Sequence, residues 1–139
     1  MTSTHAGPGP LASVRAQLAE LCGSDDVEDW AMLGPVLDAF VEGSAERRDE
    51  LVDAVRRSSV DEVEFLSHRL KGSALTLGVD DLAHVCGRLE ADARTGVVDG
   101  SGQLVHALVR ELQAAVSAVE QVRAALPADT SAPVPAPGW

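Results

Sequence analysis

Residues 60–78 read Val60-Asp61-Glu62-Val63-Glu64-Phe65-Leu66-Ser67-His68-Arg69-Leu70-Lys71-Gly72-Ser73-Ala74-Leu75-Thr76-Leu77-Gly78. Val63, Leu66, Leu70, Ser73, Ala74 and Leu77 recur at the three- and four-residue spacing of one helix face. Ser59 and Glu62 fit a capping box at its start. Gly78 supplies a left-handed stop. The spacing predicts a helix over 60–77.

The same period continues outward in both directions. Leu11, Val14, Leu18 and Leu21 mark a helix over 10–22, which Gly23 can end. Residues 25–33, acidic at the start and carrying Trp30 and Leu33, suit one short turn of helix. Pro35 is a plausible first helical residue, and Leu37, Phe40, Val41, Leu51 and Val55 keep one phase across Gly43, so a helix is expected over 35–57. On the other side, Asp80 can cap a helix over 81–95 that ends at Gly96. Gly100-Ser101-Gly102 precedes a last helix over 103–126, with the stripe Leu104, Leu108, Leu112, Ala115, Val119, Val122 and Leu126. No alternating β run or hairpin signal interrupts them. The join at 78–80 is short, so the helices flanking it should be antiparallel neighbours. The expected fold is all-α: an antiparallel up-down four-helix bundle with an additional N-terminal helix, over residues 10–126. A flexible arm (1–9) and a Pro/Ala-rich disordered tail (127–139) flank it, with Trp139 read as a solvated terminal residue.

Composition narrows the function. The 139 residues carry 11 Lys+Arg against 22 Asp+Glu, a formal net charge of −11. That charge opposes nucleic-acid binding, which needs clustered cations, and docking on anionic lipid. Apolar residues make up 45% of the chain, too many for a disordered protein. No apolar run reaches the ~18 residues of a membrane span, and the first ten residues lack the form of a signal peptide. Cys22 and Cys86 do not make a disulfide framework. A cytoplasmic protein is expected.

On the helix over 60–77, His68 falls almost opposite the apolar stripe, so its ring should stand in water. Lys71, the chain's only lysine, lies one turn on, with Gly72 beside it. A mid-helix glycine costs about 1 kcal/mol; clearance beside the ring, letting another protein's surface come close, would offset that. Phe65 and Leu75 also face outward and give the ring an apolar rim. Glu64 and Arg69 join Phe65, Gly72 and Leu75 as expected partner contacts. His84 and His106 also point away from their stripes, but neither has the Lys-Gly pair beside it, and both read as solvated surface residues. His5 lies in the arm. A metal site from His68, His84 and Cys86 is disfavoured, because the three lack ligand spacing.

An exposed imidazole is largely neutral near pH 7 and can take a phosphoryl group on a ring nitrogen. Phosphoryl transfer asks mainly for in-line positioning and neutralisation of spread negative charge; Lys71 can supply one cation. There is no Walker-type or kinase Gly-rich loop. The chain is expected to carry phosphate without taking it from ATP, as a phosphocarrier and not an enzyme.

Taken together, the stretch from Phe65 to Leu82 resembles the signature of histidine-containing phosphotransfer (HPt) domains, the shuttle modules of multistep phosphorelays. The matching residues are His68, Leu70, Lys71, Gly72, Ser73, Leu77, Gly78, Leu82, Cys86, Leu89 and Glu90; Val79 stands where the family often has a small residue. The similarity covers roughly residues 30–125. It implies a monomeric four-helix bundle in which His68 accepts phosphate from a receiver-domain aspartyl phosphate and passes it to another receiver, with Lys71 assisting and Gly72 permitting docking. The implied partners are receiver domains of response regulators or of a hybrid histidine kinase. No cofactor is implied in this chain, with Mg²⁺ expected only in the receiver. Two other readings are a non-catalytic helical adapter for receiver-like partners and a sensor-kinase dimerisation hairpin. The second fits poorly, because Arg69 and Ser73 stand where that hairpin has an acidic residue and a proline.

Overall fold

The chain turns sharply at Gly78, which takes a left-handed conformation with φ +77°, and the helices on either side of it are antiparallel. The computed structural model describes residues 9–98 and 102–127. It contains helices α1 (Pro10–Cys22), α2 (Gly34–Arg56), α3 (Val60–Leu77), α4 (Asp80–Arg94) and α5 (Gly102–Ala125), and a 3₁₀ helix, Val27–Leu33, before α2. Helices α2 to α5 pack as a closed ring in which each touches its chain neighbour and α5 returns to α2. The α3–α4 contact is the most extensive. This is the expected up-down bundle. The apolar stripes meet inside it: Leu37 and Leu51 from α2, Val63 and Leu77 from α3, Leu82 and Leu89 from α4, Leu108 and Val119 from α5 are all buried.

Helix α1 lies mainly along α5 and also touches α3 and α4. Val14 and Leu18 are fully buried beneath it. Gln17 Nε2 donates to the Thr76 carbonyl at 3.2 Å. The fit over the α3–α4 turn is close: a Cβ on Gly78 would come within 2.5 Å of Gln17 Cβ and 2.9 Å of the Ser13 carbonyl oxygen. Gly78 therefore answers two demands, a positive φ and a helix resting on its backbone. Gly23 ends α1 in the same left-handed way, with φ +65°. In the 3₁₀ segment, Trp30 is buried and its indole N–H donates to the Ser24 carbonyl at 2.9 Å, while the Asp26 carboxylate accepts from the Glu28 N–H and starts the turn.

Three local expectations differ from what forms. The capping box at α3 is absent: Ser59 occupies the N-cap position without a side-chain bond, and Glu62 pairs instead with the Arg57 guanidinium. That guanidinium also binds Asp53 at 2.8 Å, and the Ser59 N–H that Glu62 would have met donates instead to the Ala54 carbonyl at 2.9 Å. Asp80 does not cap α4. It is the first helical residue, and Val79 holds the cap position without a side-chain bond. The turn allows only Gly78 and Val79 between the helices, so the helix must begin one residue early. Leu66, assigned to the core stripe, is half-buried, and Ser67 is fully buried in its place. Ser67 manages this by donating its hydroxyl to the Val63 carbonyl one turn back. The arm and tail, with His5 and Trp139, lie outside the described residues apart from Gly9 and Pro127.

Candidate functional site

Because α3 and α4 are joined by so short a turn, they mate symmetrically about it. His68 and Glu90 each lie eleven positions from Val79, Glu64 and Arg94 each fifteen, and Lys71 and Gly87 each eight. All three pairs meet. His68 Nδ1 is 2.7 Å from Glu90 Oε2. Arg94 Nε donates to Glu64 Oε2 at 2.9 Å. The Lys71 stem passes 3.6 Å from where a Cβ on Gly87 would sit. Equal rise per residue on both helices, about 1.5 Å, sets this register.

Glu90 is the centre of the cluster. Its side chain is only 2% exposed, while that of His68 is 65% exposed. An isolated carboxylate at that depth would be costly, and three donors compensate it. Lys71 Nζ donates to Oε1 at 2.6 Å; Oε2 accepts from His68 Nδ1 and from Arg94 Nη2, the latter at 2.9 Å. The Lys71 ammonium, ahead of the opposing effect of burial, holds the Glu90 carboxyl below the usual carboxylate range, and the His68 and Arg94 contacts act in the same direction.

The tautomer of His68 follows from this. An ionised carboxylate only accepts, so Nδ1 must carry the hydrogen. The neutral ring then has its lone pair on Nε2, on the side away from Glu90. The arrangement is a largely exposed imidazole whose hydrogen points inward to Glu90 and whose second nitrogen keeps its lone pair.

The surroundings are open. A Cβ on Gly72 would meet nothing within 4 Å, so among the described residues no helix packs there and the clearance faces outward. Phe65 and Leu75 are 59% and 53% exposed on either side of His68. Arg69 lies over the Phe65 ring at 5.4 Å from its centroid. A hollow of about 380 Å³ beside the imidazole is lined by Asp61, Glu64, Phe65, His68, Glu90 and Arg94. Helix α1 stays at the far end of α3, by Thr76 and Gly78, and leaves the ring uncovered. His84 and His106 are exposed without a bonded partner among the described residues. Cys86 is buried, and burial pushes its thiol up to about 12, so it behaves as an apolar side chain.

Two members of the cluster were not assigned roles by the sequence reading. Glu90 was named only among the residues that match the family signature, and Arg94 not at all. A signal for Glu90 existed, since it sits at the margin of the stripe formed by Leu82, Cys86, Leu89 and Ala93, where a glutamate needs a partner. Lys71, expected as a free ammonium, is tied to Glu90 with its side chain 30% exposed.

A family model for the Hpt domain matches residues 35–129. The chain belongs to the Hpt domain family. Its fold resembles the crystal structure of histidine-containing phosphotransfer protein B (HptB) from Pseudomonas aeruginosa PAO1, with a TM-score of 0.65, 28% identity, and coverage of 80% of this chain and 90% of that one. No curated protein matches the chain. As an Hpt protein it serves histidine phosphotransfer in a phosphorelay, as a phosphocarrier and not a classical enzyme, and the adapter and kinase-hairpin readings are not favoured. Hpt domains work with receiver domains of two-component systems. Among the described residues no helix is long and apolar enough to cross a membrane.

Proposed function

We propose that His68 is the phospho-accepting residue and that Nε2 is the atom phosphorylated. The observation that carries this is the Glu90 carboxylate on Nδ1, which leaves Nε2 of an exposed ring unprotonated. The Nε2 lone pair attacks the phosphorus of a receiver aspartyl phosphate. The N–P bond forms as the P–O bond to the aspartate breaks, and the carboxylate leaves with the electron pair. The ring keeps its Nδ1 hydrogen and becomes cationic, and Glu90 balances that charge. Return to a second receiver runs the same steps backward, with the lone pair restored to Nε2. Lys71 has donors beyond the one given to Glu90 and turns them to the phosphoryl oxygens.

Gly72, Phe65, Leu75, Arg69 and Glu64 form the surface on which the receiver docks. The receiver belongs to a response regulator or a hybrid histidine kinase and brings the Mg²⁺; this chain needs no cofactor of its own. It acts as a monomer in the cytoplasm. Incubation with a receiver phosphorylated on its aspartate should place an acid-labile phosphate on the protein, and His68→Gln should abolish it. Undiminished labelling of His68→Gln would refute the assignment.

A further inference from the structure

Glu90 Oε2 is shared. His68 Nδ1 and Arg94 Nη2 both bond to it, at 2.7 and 2.9 Å, and Glu64 Oε2 accepts from Nε of the same guanidinium at 2.9 Å. Glu64 stands on α3, one turn before His68, and Arg94 on α4, one turn after Glu90. The guanidinium therefore spans the helix pair beside the ring and lines the same hollow. A guanidinium is always charged, and its planar fork suits two carboxylates at once.

Resting on the reading of His68 as phospho-acceptor, we propose that Arg94, tethered by Glu64, is a positioning residue that sets how strongly Glu90 attracts positive charge on the His68 ring. Lys71 on one oxygen and Arg94 on the other offset much of the Glu90 charge. The phosphorylated ring is cationic, since Nδ1 keeps its hydrogen while Nε2 bears phosphorus. Arg94 therefore lowers the hold of this protein on the phosphoryl group and favours passing it on.

The charged groups around the ring belong to this account. Asp61, Glu64 and Lys71 come from α3, and Glu90 and Arg94 from α4, with the neutral Cys86 thiol beneath. Arg69 turns to Phe65. From the other elements, Arg47 of α2 faces Arg69 across the Leu66–Leu70 groove, Arg123 of α5 pairs with Asp38, Arg110 of α5 pairs with Glu111, and Arg15 of α1 lies over Trp30.

The test measures onward phosphotransfer to a second receiver, and the equilibrium share of phosphate on the full-length protein, for the parent, Arg94→Gln and Glu64→Gln. In Arg94→Gln the equilibrium constant for phosphate on His68 should rise roughly threefold, and onward transfer should slow. Glu64→Gln leaves the guanidinium to Glu90 alone and removes a negative charge, so both changes should reverse. Arg94→Lys, which keeps the charge, should restore most of the parent behaviour. Loss of packing alone would lower rate and phosphate share together, and that result overturns the proposal, as does an unchanged phosphate share in both glutamine variants. His68→Gln run alongside separates the two readings. Transfer surviving in it defeats the assignment of His68; transfer lost in it with Arg94→Gln unchanged defeats only the role of Arg94.

Discussion

At the end of α3, Gly78 is held by shape: its φ is positive and α1 sits against its backbone with no room for a side chain. Ten residues earlier, His68 is held by charge: one buried carboxylate and two cations fix a ring that stays 65% exposed. The same helix thus has a closed end and an open middle. Steric contact fixes position by excluding everything else, which suits a structural cap and would silence a docking site. A polar cluster fixes orientation from one side only and leaves the other side for a partner. Substitutions at the two places should therefore separate stability from transfer.

The largest effect on stability is expected at the closed end. Gly78→Val puts a β-branched residue at φ +77° and drives its Cβ into Gln17, and should cost about 3 kcal/mol in urea unfolding. Transfer per folded molecule should change little, because α1 does not reach the imidazole. A Gly78→Val protein that unfolds at the parent urea concentration would show that α1 is not seated on the turn.

Lys71→Ala reverses the pattern. Transfer should slow about tenfold, a smaller loss than is usual in water-excluded sites, while helix content by circular dichroism stays unchanged. Equal transfer rates would remove the ammonium from the phosphoryl step and leave it only as a partner of Glu90.

Acid should act on the open middle through Glu90. Its carboxyl is held below its unfolded value by Lys71 first of all. A depressed carboxylate contributes stability that is complete above the unfolded pKa of about 4.3 and is lost as pH falls through the folded value. The parent urea midpoint should therefore fall more steeply below about pH 4.3 than that of Glu90→Gln, and the two slopes should agree above pH 6. Parallel curves throughout would mean that the cluster adds no net stability.

How far the sequence could be read follows the same division. The bundle was legible because stripes such as Val63, Leu70 and Leu77, or Leu104, Leu108 and Leu112, repeat at helical spacing, and burial of such stripes leaves few arrangements. The exposure of His68 followed from the same wheel. What escaped were contacts between helices. Glu62 was read within its own helix, yet Arg57 from the preceding turn takes it. Glu90 and Arg94 could be joined to His68 and Glu64 only through the register of α3 against α4, which depends on Gly78 and Val79 being the whole connection. A one-residue longer turn would rotate the facing set and break all three mirrored pairs.

Gly72 gives the smallest stability change and the sharpest test of the contrast with Gly78. Gly72 lies within α3 and Gly78 just past its end, but a Cβ at Gly72 meets nothing within 4 Å whereas one at Gly78 meets Gln17 at 2.5 Å. Gly72 is in regular helix, so alanine there relieves a propensity cost and should stabilise the fold by up to about 1 kcal/mol. If the space above it serves the receiver, the same methyl group should slow transfer by hindering close approach to His68. Gains in stability and losses in transfer from one substitution point to an outward-facing vacancy, because a glycine needed for internal packing would lose stability as well. Urea unfolding and transfer rates on Gly72→Ala decide between the two, and destabilisation would place Gly72 with Gly78 as a packing residue.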